Sequence, residues 1–306
     1  MRDYESGQSR VTKRRRFDDD DPIYHKRFAR ETVEEPEYEA WELDEMDGAD
    51  RWSTWDVPTA GQRGPKPYPG WLVTELAATD TELGVLKTGK EADVFLVERG
   101  VPHTDRLCLL AAKRYRASQH RLFHRDAGYL EGRRVRESRD NRAMAKRTTT
   151  GMQMIATQWA NAEFGALCRM YELGVPVPYP VQILGTELLL EFIGSVETRQ
   201  AAPRLAQLKA GDADLSDLWS QLVTAITLMA RAGYAHGDLS AYNILVSDGR
   251  LVLIDLPQIV DVVSNPQGRE FLTRDARNVA RWFSSRGLEV SGDELGAELV
   301  LEANIR

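Results

Sequence analysis

His236-Gly-Asp-Leu-Ser-Ala-Tyr-Asn-Ile-Leu-Val-Ser-Asp-Gly-Arg-Leu-Val-Leu-Ile-Asp255 is the stretch from which the rest of the chain can be read. Asp238 and Asn243 stand five residues apart across a short turn. An apolar run (Ile244 to Val246), the turn signal Ser247-Asp248-Gly249 and a second apolar run (Leu251 to Ile254) come next. Asp-Gly between two β-prone runs predicts a hairpin. Such a hairpin folds Asp255 back toward Asn243, so three polar side chains converge. A carboxylate that takes a proton, beside an Asn and an Asp offering hard oxygen ligands for Mg²⁺, is what phosphoryl transfer of the protein-kinase type requires. The plainer alternative is a surface hairpin with polar residues.

Composition sets the frame. The 306 residues are 42% hydrophobic and 28% charged, enough for one large or two ordinary domains. The net charge of −7 is unevenly spread. Residues 31–50 hold ten acidic residues and no Lys or Arg, whereas residues 112–147 hold twelve Lys/Arg against four Asp/Glu. Cys108 and Cys168 lie far apart without metal-ligand spacing, which fits a reducing compartment. There is no membrane-length apolar run and no secretory h-region, so the expectation is a cytoplasmic protein without a membrane partner.

Residues 1–70 read as a charged, largely disordered tail: Lys13-Arg14-Arg15-Arg16, then Asp18 to Asp21, then the acidic run. Trp41, Trp52 and Trp55 are the exception, and the Trp52–Trp55 region is expected to dock on the folded domain or a partner. Residues 61–70, with three prolines, read as a linker, and Trp71 to Ala78 as a helix. Leu83 to Val97 reads as strand, glycine turn, strand around Lys87-Thr88-Gly89-Lys90-Glu91-Ala92. Gly84, Gly89 and Lys90 nearly meet the P-loop pattern, but Glu91 stands where a Mg²⁺-binding hydroxyl is needed and the pattern continues as strand. A hairpin covering phosphates, through backbone N–H groups near Thr88 to Glu91 and through Lys90, is the better reading. The apolar run Leu107 to Ala112 ends in Lys113. A buried lysine needs a partner or must snorkel. Glu163, in a helical pattern over 151–173 that stops at Gly174, is the candidate partner.

The basic stretch 114–147, with His120 and His124, is either a solvated loop or a surface for RNA or an acidic protein. Val181 to Leu184 and Glu187 to Phe192 predict a hairpin ending at Gly194, and backbone groups near Glu191 and Ile193 are placed on an adenine edge. Helices are expected over 214–232, 268–286 and 295–301.

Over about residues 80–290 this order of parts resembles the RIO-type atypical serine/threonine kinases, nearest to the first RIO branch and its bacterial relatives. The resemblance rests on Lys87 to Ala92, Lys113, Glu163, Glu191-Phe192-Ile193-Gly194 with Ala202-Pro203-Arg204-Leu205, His236 to Asn243, and Ile254-Asp255. Ala241, where an acidic residue is expected in much of the family, and the long basic stretch 114–147 are departures, whereas Asp255-Leu256-Pro257 in place of Asp-Phe-Gly agrees with a family that lacks the activation segment of ordinary protein kinases. The resemblance implies an α+β, two-lobed protein-kinase-like fold: an N-lobe sheet with one main helix over about 71–192 and a reduced, mostly helical C-lobe over about 193–306. It implies Asp238 as the catalytic aspartate and Asn243 and Asp255 as metal ligands. Lys87, Thr88, Gly89, Lys90, Lys113, Glu163, Glu191 and Ile193 would serve the nucleotide, with ATP and Mg²⁺ (or Mn²⁺) as cofactors. The expected activity is Ser/Thr phosphorylation including autophosphorylation, on an unnamed protein substrate. The alternatives are an ATPase-type switch that binds a ribosomal precursor or RNA through 114–147, and a small-molecule kinase of the aminoglycoside or choline phosphotransferase kind. The short remainder after Asp255 argues against the last.

Overall fold

Two lobes meet at the segment Phe192–Gly194 in the computed structural model, which describes residues 48–116, 149–209, 211–257 and 259–305. The N-lobe is a six-stranded antiparallel sheet. Its strands are β1 (Arg51–Trp52), β2 (Thr79–Thr88), β3 (Ala92–Gly100), β4 (Leu107–Tyr115), β5 (Pro180–Leu184) and β6 (Glu187–Glu191), in the spatial order β1-β2-β3-β4-β6-β5. Helix α1 (Thr149–Glu172) packs on its inner face.

Period-2 alternation sorts β4 between two cores. Cys108, Leu110 and Ala112 face an outer cluster with Trp55, Leu72, Val73, Tyr179 and Leu189. Ala111 and Tyr115 face the inner core that continues into the C-lobe. Lys113 shares that inner face by the same alternation, which is why a charged residue can end an otherwise apolar strand.

The folded region begins well before residue 71. Arg51 and Trp52 pair with β2, and Trp55 is buried beneath the Arg63 guanidinium. Gly64 N–H donates to the Val181 carbonyl and Ile183 N–H to the Gln62 carbonyl, so residues 62–64 cover the exposed edge of β5. A Cβ on Gly64 would fall 1.9 Å from the Pro180 oxygen. The expected linker is therefore a sheet-edge cover, and docking of Trp55 is observed. Trp41, the Lys13–Arg16 tetrad and the acidic run to Asp47 lie outside the described residues. The helix expected over 71–78 is absent. Leu72 and Val73 are both buried in the outer cluster, and the segment crosses the sheet as turns shaped by that surface.

The C-lobe comprises α2 (Leu215–Arg231), α3 (Gly268–Ser284) and α4 (Gly292–Glu302), with two short pairs that hold the catalytic stretch: β9 (Tyr234–Ala235) with β12 (Val260–Asp261), and β10 (Ile244–Ser247) with β11 (Arg250–Leu253). Asp214 caps α2 by accepting from the Ser216 and Asp217 N–H groups, and Leu218, Leu222, Ile226 and Met229 form its buried stripe. β7 (Gly194–Ser195) and β8 (Gln200–Ala201) make a tight hairpin after the inter-lobe segment. Gly194 is required there, because a Cβ would lie 2.2 Å from the Gln200 oxygen. No described helix is long and apolar enough to cross a membrane.

Candidate active site

The β10–β11 turn is the one its sequence calls for. Asp248 and Gly249 both have positive φ (50° and 72°), the two-residue turn whose twist suits a hairpin. The register sets Ile244 against Leu253, and Ile254 N–H donates to the Asn243 carbonyl at 3.0 Å. Asp255 thus arrives beside Asn243, as the spacing predicts. Asp255 has φ 69°, a left-handed conformation that only surrounding structure sustains in a non-glycine residue.

Lys113 is the electrostatic centre. Its ammonium donates to Glu163 Oε1 at 2.6 Å and to Asp255 Oδ1 at 2.9 Å, joining sheet, helix and hairpin across the lobes. Burial disfavours its charge, yet the two carboxylates outweigh this and raise its pKa above the ordinary lysine value. Burial likewise opposes ionisation of Asp255, and Lys113 overrides it to hold the Asp255 carboxyl below the usual range.

Asn243 Nδ2 donates to the Asp238 carbonyl at 2.8 Å, which leaves its amide oxygen for another partner. The Asp238 carboxylate is exposed at the cleft. Among the described residues no three His, Cys, Asp or Glu side chains group as a metal cage. Two hard oxygen donors, completed by substrate phosphates and water, is a normal Mg²⁺ arrangement, so Asn243 and Asp255 fit that ion.

Lys87 and Thr88 are the last paired residues of β2, opposite Val94 and Asp93, and the β2–β3 turn that follows is closed by Gly89 N–H to the Ala92 carbonyl at 3.0 Å. Of the residues assigned to the adenine edge, two backbone groups are already engaged. Glu191 N–H donates to the Tyr179 carbonyl, and the Ile193 carbonyl accepts from Ala202 N–H, each at 2.9 Å. The Glu191 side chain takes the Tyr179 N–H at 2.9 Å, and burial raises its pKa against that bond. The Ile193 N–H has no hydrogen-bond partner among the described residues and is available to a base. Of the stretch 114–147, Arg114 bonds Glu187 and Glu82, and Arg116 pairs with Asp93 on the N-lobe. Residues 117–147, with His120 and His124, fall outside the described residues.

Two supports went unread in the sequence. Tyr115, two residues after Lys113 on the same strand face, donates its hydroxyl to Glu163 Oε2. Burial and the Glu163 charge push its own pKa well above the usual phenol value. The alternation of β4 was the available signal. Replacing Tyr115 with Phe is expected to cost about 1.5–3 kcal/mol, the worth of a hydrogen bond to a charged group. Thermal unfolding checks this, and an unchanged midpoint would mean the contact has no weight.

The second support is α3. Asp275, 3% exposed, accepts from Gly237 N–H at 2.8 Å and Leu239 N–H at 3.0 Å, the two amides flanking Asp238. Burial raises its pKa, opposed by His236 and those two N–H groups. Arg274 donates to the Gly237 carbonyl and Asn278 Nδ2 to the Leu239 carbonyl. An aspartate on the apolar stripe Leu272, Ala276, Val279, Phe283 marked the position as functional in structure.

A family model described as the RIO domain matches residues 109–295. The RIO-type serine/threonine-protein kinase Rio1 of Haloferax volcanii is 36% identical over 213 residues, 69% of this chain and 66% of that protein. The serine/threonine-protein kinase RIO1 of Chaetomium thermophilum is 31% identical over 218 residues, 69% of this chain and 40% of that one. The chain thus spans from two-fifths to about two-thirds of these relatives' lengths. A solved structure of the Rio2 kinase–ADP/Mg²⁺–phosphoaspartate complex from Chaetomium thermophilum superposes with a TM-score of 0.50 at 20% identity, over 72% of this chain and 69% of that one. On the extent of the family match and the arrangement of its core, this chain belongs to the RIO domain family.

Proposed function

We propose that this protein is a Mg²⁺- and ATP-dependent serine/threonine kinase. The observation that carries the reading is the Lys113 ammonium held at 2.6 Å from Glu163 and 2.9 Å from Asp255, with the Asp238 carboxylate open on the adjoining loop. Family membership and the ADP/Mg²⁺ of the solved Rio2 neighbour support it. Lys113, oriented by Glu163 and Tyr115, neutralises phosphate charge, and Ile193 N–H together with the Thr88–Glu91 turn receives the nucleotide. Asn243 and Asp255 would hold Mg²⁺, which would supply positive charge against the phosphates. Asp238 orients the acceptor hydroxyl and takes its proton as the oxygen bonds to the γ-phosphorus and ADP departs with the bond electrons.

The test is incubation with γ-labelled ATP, with and without Mg²⁺, comparing protein-bound label with free phosphate. Wild-type protein is expected to acquire label only with the metal. Asp255→Ala is expected to lose both the label and the metal-dependent component of ATP binding. Label retained by Asp255→Ala at the wild-type rate would overturn the assignment. Label found only as free phosphate would favour the ATPase-type switch. Of the basic residues that an RNA or ribosomal contact through 114–147 would use, Arg114 and Arg116 are ion-paired within the N-lobe.

A further inference from the structure

β2 is irregular where it approaches the cleft. Val85 pairs with Phe95, but the next paired residue is Lys87, opposite Val94. The residue between them, Leu86, is the extra member of a bulge, and a one-residue bulge turns the rest of the strand to the other face. Phe95 packs with the outer cluster. Val94 lies on the inner face, because it pairs directly with Lys113. Lys87, Val94 and Lys113 therefore form one row across three strands, all directed inward. At ~4.8 Å per strand the two lysine backbones stand about 10 Å apart above the cleft. A regular strand would have pointed Lys87 outward with Val85.

The lower lobe answers with Arg204. It lies just beyond the inter-lobe segment, and Val246 N–H donates to the neighbouring Pro203 carbonyl at 2.9 Å. The guanidinium donates to the Tyr242 carbonyl at 2.7 Å, next to the metal-ligand candidate Asn243. No carboxylate lies within ion-pair distance of Lys87 or Arg204 among the described residues, whereas Lys113 has two. Desolvation lowers the Lys87 pKa; Asp255 works against this, and Arg204 and Lys113 add to it. In the unliganded cleft Asp255 is the stronger charge influence on Lys87, opposed by Arg204 and Lys113, so once a metal takes Asp255 the two cations need another anion.

Resting on the nucleotide-site reading above, we infer that Lys87 and Arg204 form a two-lobe clamp for the phosphate chain of the nucleotide, with the β2 bulge as the device that aims Lys87. Asp255 is taken by the metal in the loaded state, and the phosphates then supply the negative charge that both cations lack. Closure of the lobes is thereby tied to phosphate rather than to the base.

The test compares Mg²⁺·ATP, ADP and adenosine binding by calorimetry in the full chain, wild type against Lys87→Met and Arg204→Met, with thermal unfolding of the nucleotide-free proteins. Each variant is expected to lose about tenfold in ATP affinity, the scale of one charge-assisted hydrogen bond, while adenosine affinity stays at the wild-type value. The unliganded unfolding midpoint is expected to stay close to wild type in Lys87→Met, since attraction to Asp255 and repulsion from Arg204 and Lys113 are lost together; a loss of ATP affinity then reads the clamp and not the fold. Lys87→Arg is expected to restore ATP affinity. Unchanged ATP affinity in both variants, or equal losses for ATP and adenosine, would overturn the clamp while leaving the nucleotide site standing. Failure of the wild-type protein to bind ATP would instead remove the site itself, and the clamp with it.

Discussion

Asp238→Ala is expected to lower phosphoryl transfer by about 10²- to 10⁴-fold, the usual contribution of a positioned proton acceptor. ATP affinity should stay close to wild type. The geometry makes this substitution unusually specific. Asp238 holds Asn243 through its backbone carbonyl at 2.8 Å, which alanine retains. The flanking amides of Gly237 and Leu239 are held by Asp275, again through the backbone. Only the carboxylate disappears, and it is absent from the ion pairs around Lys113. Single-turnover labelling with ATP binding measured in parallel decides the matter. A rate within about threefold of wild type would exclude Asp238 from the chemistry.

The largest stability effect is expected far from the cleft. Arg99 on β3 is fully buried and donates two bonds to its cross-strand partner Asp80, at 2.7 and 3.0 Å. Its remaining donor reaches Gln182 at 3.3 Å, and Gln182 in turn bonds Thr54 of the N-terminal cover. Arg99→Met removes both short bonds to the Asp80 carboxylate, whose side chain is 2% exposed, and leaves it only the longer 3.5 Å contact with Arg51. Breaking one side of a buried pair costs about 3–5 kcal/mol. At roughly 2–4 °C per kcal/mol for a domain of this size, the unfolding midpoint should fall by about 10 °C. The double change Arg99→Met, Asp80→Leu should recover much of that loss, since no lone charge is left inside. If the double variant is no more stable than the single, stranding of Asp80 is not the cause.

The site was legible where chemistry and spacing coincide. Asp238, Asn243 and Asp255 sit at intervals that a two-residue Asp-Gly turn converts directly into proximity. Lys113 and Glu163 are 50 residues apart, but each ends or interrupts an apolar pattern and so required a partner. What stayed hidden had no local signature. The bulge at Leu86 is a matter of register and changes no residue type. Capture of Glu191 N–H by Tyr179 depends on how β5 enters the sheet. The segment 51–70 reads as tail and linker because its buried residues track the contours of a sheet rather than any period of their own. Its tryptophans were the only hint. The helix expected over 71–78 failed for the same reason, local propensity giving way to a surface already present.

The triangle of Lys113, Glu163 and Asp255 also settles how protons behave when the cleft fills. Asp255 has its pKa held below the ordinary 3.8, so its contribution to stability is present above that value and fades only as pH falls through the lowered one. Lys113 has its pKa raised above the ordinary 10.5, so its contribution holds below that value and fades only as pH rises through the raised one. Across the whole interval between, both groups are already in the form that metal and phosphate require. Loading then exchanges one set of counter-ions for another at Lys113 and Asp255, with no hydrogen ion gained or lost at either.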